Sequence, residues 1–371
     1  MNLQRIYSGK RVLITGHTGF KGAWLSEWLI SMGAEVYGLA LPPPTAPSLF
    51  DGLKLESRMH SVIGDIRDRD LVHRVVDMAR PDFLFHLAAQ PLVRLSYDIP
   101  IETYETNVMG TAYVLDALRR LNRPCSVVVI TTDKCYENLE WLHSYRECDP
   151  LGGYDPYSSS KGAAELVVSA YRRSFFCEGK VVRLASARAG NVIGGGDWAK
   201  DRIVPDCIRA LREGQPIPVR NKVATRPWQH VLEPLAGYLW LAGALSGLHP
   251  PFYNFSLGQY ISGFNFGPSL NSNRTVAELV SAVLKYWPGQ WVDMSDPAAV
   301  HEAKLLNLAI DKAFHLLNWS PTWDFQETVH QTVDWYRQVD AGGDPAEVTR
   351  SQITSYTRSA FNSGIRWALH S

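Results

Sequence analysis

The chain has 371 residues, with 37 Lys+Arg against 37 Asp+Glu and a formal net charge of zero. Phosphate backbones select a basic surplus, so this balance argues against nucleic acid as a main partner. With 46% hydrophobic and 20% charged residues the composition is that of a folded globular protein, and at roughly 100–200 residues per domain the length fits two lobes.

Residues 11–15 read as a buried parallel strand, and 22–32 follow with apolar residues at helical spacing (Ala23, Leu25, Trp28, Leu29, Met32). A second strand is expected over 35–39, a helix over 71–78 and a strand over 83–87. A long helix over 103–121 follows, then a β-branched strand over 126–132, a helix over 157–176 and a strand over 180–187. Strands alternating with helices of this length predict an α/β fold with a Rossmann-type doubly wound parallel sheet. Past residue 190 the rhythm breaks at Gly194, Gly195, Gly196, Pro205, Pro216 and Pro218. There a smaller α/β substrate-binding lobe is expected over 191–371, with 225–260 returning to the first lobe of 1–190. The Gly-, Asn- and Ser-rich stretch 259–274 reads as loop. Thr275 and Glu278 form a capping box, and Ile353, Tyr356, Phe361 and Trp367 suggest a tail packed on the body.

Five cysteines without paired spacing give neither a disulfide framework nor a metal pair. A reduced, cytoplasmic setting is therefore expected. Residues 1–10 lack the apolar core of a leader. The apolar stretch 235–245 is shorter than the roughly 18 residues of a membrane span. The 12 Trp and 16 Tyr are scattered and read as core or sugar-facing surface.

The first strand runs into Gly16-His17-Thr18-Gly19-Phe20-Lys21-Gly22. Glycines permit a tight turn and let backbone N–H groups approach a pyrophosphate, at which the next helix points its positive end. The strand–turn–helix context is what such a motif requires. An acid about 20 residues on would bind the adenosine ribose of NAD. This chain has Ala40-Leu41-Pro42-Pro43-Pro44 there, so NAD versus NADP stays open at this segment. Asp65, before Ile66, is a candidate adenine contact or a cap of the next helix.

Tyr157 and Lys161 form a Y-x-x-x-K pair on one helix face. An ammonium beside the phenol is expected to lower its pKa towards working pH, which suits Tyr157 to take a proton from a sugar hydroxyl. Thr132, Asp133 and Lys134 stand at the carboxyl end of a strand, where open parallel sheets place their substrates. Asn107, a poor helix former inside a helix, either caps a bend or orders the surroundings of Lys161.

Together the glycine turn, His86-Leu87-Ala88-Ala89-Gln90, the Thr132 strand end and Tyr157/Lys161 resemble the extended short-chain dehydrogenase/reductase family, in its nucleotide-sugar branch, over nearly the whole chain. The local wording is similar to that of the CDP-glucose 4,6-dehydratases. The runs that carry this are Thr131-Thr132-Asp133-Lys134-Cys135-Tyr136, Gly153-Tyr154-Asp155-Pro156-Tyr157-Ser158 and Gly190-Asn191-Val192-Ile193-Gly194-Gly195-Gly196-Asp197-Trp198, with His301-Glu302-Ala303 later. Asp133-Lys134 stands where dTDP-glucose relatives carry Asp-Glu.

The resemblance implies an NAD enzyme that oxidises carbon four, eliminates water across carbons five and six, and returns the hydride to carbon six. It implies cofactor contacts at Gly16, His17, Thr18, Gly19, Phe20, Lys21, Gly22, Asp65, Ile66, Ala88, Ala89, Gln90, Asn107, Tyr157 and Lys161. Catalysis falls to Thr132, Asp133, Lys134, Tyr157 and Lys161, with the roles of Asp133 and Lys134 left open. The nucleotide diphosphate of CDP-glucose would meet Asn191, Arg202, Arg220, Arg226 and His301, because fixed guanidinium donors suit two phosphates. No metal is implied. A homodimer is, through a four-helix bundle of the helices from Thr103 and Tyr157. The alternatives are a dehydratase or epimerase for a GDP-, UDP- or dTDP-linked sugar, or a non-catalytic dinucleotide-binding sensor.

Overall fold

The computed structural model of the chain describes residues 2–177, 180–248, 256–295 and 305–369. Among these, seven parallel strands form one sheet. Six are β1 (Arg11–Thr15), β2 (Glu35–Ala40), β3 (His60–Ile63), β4 (Phe83–His86), β5 (Cys125–Ile130) and β6 (Val182–Ala189). The seventh, Gly263–Phe266, lies at the edge beside β6, and the order across the sheet is Gly263–Phe266, β6, β5, β4, β1, β2, β3. Sequence order reverses between β1 and β4, which pair Val12 to Phe83 and Thr15 to His86. A crevice opens at such a reversal, at the carboxyl ends of the strands.

Both faces of the sheet are covered, as all-parallel sheets require. One face carries Phe20–Ser31 and Leu232–Ser246, with Trp24, Trp28, Leu235 and Trp240 in its core. The other carries Arg69–Ala79, Gly110–Leu118 and Pro156–Ser174, packed through Val72, Val114 and Val168. The indoles are largely core. Trp24 Nε1 donates to Gly195 O (2.9 Å) and Trp240 Nε1 to Leu317 O (2.7 Å).

Three expectations change. The stretch read as loop contains the Gly263–Phe266 strand, all four residues buried. Its Gly and Asn mask a Phe264/Phe266 alternation, and Asn265 is satisfied by Tyr136 Oη (2.8 Å) and Tyr145 O (2.9 Å). The helix expected over 103–121 is Pro100–Tyr104, a π-helical turn Glu105–Met109, then Gly110–Leu118. The cap of Arg69–Ala79 is Asp68, whose side chain accepts from Leu71 N, and not Asp65.

Beyond β6 the described residues make three two-stranded pairings: Val192–Ile193 with Gln229–His230, Ile217–Val219 with Trp291–Asp293, and Thr225–Pro227 with Asn273–Thr275. The Thr275/Glu278 capping box opens Val276–Tyr286 as expected. The C-terminal helix Pro345–Asn362 packs on Phe20–Ser31. Trp28 meets Tyr356 and Trp367 edge-on at 6.0 Å, and buried Glu27 takes Arg58 (2.6 Å) and Arg350 (3.2 Å). Ile353, Tyr356 and Trp367 are buried, but Phe361 is 41% exposed because it lies on the outer face of that helix.

Candidate active site

The glycines of the first turn have different reasons. Gly16 has φ +83°, and a Cβ there would stand 2.7 Å from Ala88 N. A Cβ on Gly22 would come within 2.1 Å of Gly16 O, so the turn folds on itself without room for a side chain. Gly19 has space. It is the N-cap of Phe20–Ser31 and supplies no side-chain cap, which leaves the first-turn N–H groups to an anion. This backbone cradle fits a dinucleotide pyrophosphate.

The side chains of the turn pack around that cradle. Thr18 Oγ1 donates to Leu41 O (2.9 Å), and Phe20 leans on the core. His17 Nε2 meets Ser61 Oγ at 2.7 Å, and its ring fills the space above Gly38, where a Cβ would come within 2.4 Å. Burial pulls the imidazole down to about 4, so it is neutral. Asp65 takes Arg67 Nε (2.9 Å) and Nη2 (2.7 Å). Burial alone would raise its pKa, but the Arg67 bonds outweigh that and hold the carboxyl low. Ile66 is buried against Gly110, where a Cβ would stand 2.6 Å from Cδ1.

Ala88 N donates to Thr15 Oγ1 (3.2 Å), which ties the Ala88-Ala89-Gln90 loop to β1. Asn107 Oδ1 accepts from Gln90 N (2.8 Å), while its Nδ2 donates to Gln90 O (3.1 Å) and Ser160 Oγ (2.8 Å). Asn107 thus pins that loop to the helix of Tyr157. The π turn around it is of the kind that functional sites often contain.

Asp155 caps Pro156–Ser174, accepting from Ser158 N (2.9 Å) and Ser158 Oγ (2.6 Å), with Pro156 at the first turn. The cap fixes where Tyr157 starts its helix. At the end of β5, Thr132 Oγ1 donates to Asp133 Oδ1 (2.8 Å) and accepts from Lys134 N (3.4 Å). Burial raises the Asp133 carboxyl despite Lys134 and Thr132, which makes it easier to protonate. Gly190 lets this carboxylate lie against backbone, since a Cβ there would be 2.7 Å from Asp133 Oδ2.

The expected fall in the Tyr157 pKa does not occur. Burial pushes the phenol up, and the opposing pull comes from its hydrogen bond to Thr132 and from Arg202. Lys161 Nζ reaches Ile130 O at 3.5 Å, and burial lowers the ammonium to about 8 against the opposing charge of Glu165. Lys21 is likewise lowered to about 8, first by burial and then by Arg202, against the pull of Asp133.

Of the second-lobe candidates, Arg202 pairs with Asp197 (2.9 Å) and acts electrostatically on Tyr157. Arg226 Nη1 donates to Thr225 O (2.8 Å), and its charge lowers the Asp133 pKa. Asn191 is half-buried just past Gly190. Arg220 is 47% exposed and paired to Asp201, the neighbour of Arg202 in sequence, beside the Ile217–Val219 strand. His301 lies outside the described residues. No cluster of metal-ligating side chains occurs among the described residues.

Two residues were not anticipated. Glu165 accepts from Thr131 Oγ1 (2.6 Å), Ser186 Oγ (2.8 Å) and Arg188 (2.9 and 3.0 Å) behind Lys161. Its signal was its place four residues past Lys161. Tyr238 is fully buried, with its ring centroid 5.9 Å from Lys21 Nζ. A lone tyrosine in an apolar helix was its faint mark.

The chain is 47% identical to the CDP-glucose 4,6-dehydratase of Salmonella typhimurium over 95% of its own length and 98% of that protein. It is 26% identical to the CDP-paratose 2-epimerase of Salmonella typhi over 89% of its length and all of that protein. It superposes on the dTDP-glucose 4,6-dehydratase of Streptomyces venezuelae, solved with NAD and TYD bound, with a TM-score of 0.73 at 24% identity, covering 91% of this chain and 99% of that one. The sequence model of the family described as GDP-mannose 4,6 dehydratase matches residues 13–332. The chain belongs to that family, within the nucleotide-sugar branch of the extended short-chain dehydrogenases/reductases.

Proposed function

We propose that the chain is a lyase that converts CDP-D-glucose to CDP-4-dehydro-6-deoxy-D-glucose and keeps its NAD tightly held throughout. The observation that carries this is the meeting of Tyr157, Thr132 and Asp133 at the carboxyl end of β5, within the electrostatic reach of Arg202. The naming of the 47% identical relative supports the base and the sugar.

The 16–22 turn and the Ala88-Ala89-Gln90 loop would hold NAD, which when bound would supply the acceptor for the hydride of carbon four and its donor to carbon six. Tyr157 first loses its own phenolic proton to solvent and then, as the phenolate, takes the proton of the carbon-four hydroxyl. Its phenol is raised by burial, so Thr132, Arg202 and the Lys161 ammonium must stabilise the anion as it forms. The ketone at carbon four acidifies the hydrogen on carbon five, which leaves as a proton to solvent and is replaced by one from solvent when the hydride returns to carbon six. Asp133, whose buried carboxyl holds a proton more readily than usual, gives that proton to the carbon-six hydroxyl as it leaves. Lys134 holds the carboxyl's charge and the departing water in place. Asn107 and Gln90 keep the cofactor loop against the Tyr157 helix.

Asn191, Arg202, Arg226, Arg220 and His301 take the nucleotide diphosphate, with Arg202 nearest the sugar. Two protomers pair through the Pro100–Tyr104, Glu105–Met109, Gly110–Leu118 and Pro156–Ser174 segments, where Ile101, Met109 and Leu166 present exposed apolar side chains. We place the enzyme in the cytoplasm. Among the described residues no helix is long and apolar enough to cross a membrane.

The test is turnover of CDP-glucose beside GDP-, UDP- and dTDP-linked glucose and mannose, followed by proton NMR. A carbon-six methyl signal from CDP-glucose first is the expected result. Preference for another base would overturn the substrate and keep the chemistry.

A further inference from the structure

Along Leu232–Ser246 the buried polar side chains find partners, with one exception. Glu233 accepts from Thr322 N (2.9 Å), Trp323 N (2.7 Å) and Tyr356 Oη (2.7 Å), and Trp240 Nε1 donates to Leu317 O (2.7 Å). Tyr238 Oη is buried without a hydrogen-bond partner among the described residues. A native fold seldom leaves a hydroxyl in that state without a reason.

Its position supplies one. The helix starts beside Gln229–His230, which pairs with Val192–Ile193 just past the end of β6, and it finishes where Leu245 O accepts from Arg183 at the start of β6 (2.6 Å). It therefore runs from the carboxyl ends of the strands towards their amino ends. Helical side chains lean towards their own N-terminus. The Tyr238 phenol accordingly leans towards the end of the sheet that holds Asp133. Its ring lies edge-on to Phe266 at 5.7 Å and faces Lys21 Nζ at 5.9 Å. Burial, and then the charges of Asp133 and Tyr157, oppose its ionisation, so the hydroxyl stays protonated as a donor within their field.

We propose that Tyr238 is a positioning residue for elimination: its hydroxyl donates to the Asp133 carboxyl through one water, as a further donor beside Thr132. This rests on the dehydratase reading above. In that step carbon five releases its proton to solvent, the bond between carbons five and six becomes double, and the bond from carbon six to oxygen breaks. The oxygen leaves as water with the proton of Asp133, and the carboxylate that remains keeps both donors. No electrons are exchanged with the cofactor at this point.

The test is Tyr238→Phe in the full chain with NAD and CDP-glucose, beside wild type. Turnover is read by NMR, the reduced nicotinamide by its near-ultraviolet absorbance in a single turnover, and stability by thermal unfolding. The expected result is a kcat lower by roughly tenfold to a hundredfold. The reduced cofactor accumulates beyond the wild-type level, because oxidation proceeds and elimination lags. The Tm is unchanged or higher, because the hydroxyl has no protein partner to lose. A kcat within about twofold of wild type with no extra reduced cofactor overturns the inference. Loss of turnover without any reduced cofactor also overturns it, since the hydroxyl would then serve the oxidation. If wild type itself does not turn over CDP-glucose, the dehydratase reading fails first, and the inference with it.

Discussion

The 16–22 turn is half-buried and the end of β5 is buried, and the two are built by opposite means. The turn works through missing atoms: Gly16 and Gly22 leave no space for a Cβ, and the first-turn backbone N–H groups are left without a side-chain cap. The strand end works through polar side chains kept dry, with Asp133, Tyr157 and Lys161 all displaced from their ordinary ionisation by burial. A region made of backbone should therefore fail when atoms are added. A region made of charge should fail when charge or a proton is lost, with its shape intact.

The largest expected effect is at the strand end. Tyr157→Phe removes the proposed proton acceptor, and kcat should fall by roughly a hundredfold to ten-thousandfold. Calorimetric titration should show dinucleotide affinity nearly unchanged. Retained turnover would break the comparison at once. Gly22→Ala is the converse. Its Cβ lies 2.1 Å from Gly16 O, so the turn must shift, at about 1–3 kcal/mol of stability. Chemical denaturation and weakened dinucleotide binding should both report it.

How far the sequence revealed these two regions follows from the same difference. Strand, glycine turn and helix are local signals, and so are the Tyr157/Lys161 spacing and the Asp155-Pro156 helix start. Those were legible. The Gly263–Phe266 strand was not, because its place beside β6 is a long-range fact and its Gly and Asn read as loop. The helix around Asn107 hid its π turn, because nothing local announces an extra residue in a turn. The direction of the Tyr157 pKa is not legible in the sequence either, because spacing shows a nearby ammonium and does not show burial. Tyr238 and Glu165 reach the site through packing alone.

The pH dependence sharpens the contrast further. Lys161 is lowered from 10.5 to about 8, so kcat/KM should fall as pH rises through about 8 and its charge is lost. Its stability contribution has the opposite sign. The unfolded chain binds that proton more readily, so the ammonium costs stability below pH 8 and the cost is relieved as pH climbs from about 8 to 10.5. Comparing the pH dependence of Tm in wild type and Lys161→Met reads this directly. Parallel curves would contradict it.

The smallest effect lies away from both regions. Burial raises Glu233 from 4.5 to about 7, so its folded form holds the proton more tightly. Its contribution is full below 4.5 and declines as pH rises to about 7. Glu233→Gln should flatten that part of the Tm curve.

The central claim is that hydride leaves carbon four and returns to carbon six of the same sugar. CDP-glucose deuterated at carbon four, incubated with the enzyme and NAD and followed by NMR, tests it most directly. The account predicts a four-keto product whose new carbon-six methyl carries the deuterium. A methyl group without deuterium, or a reacted sugar with no methyl at all, would contradict it.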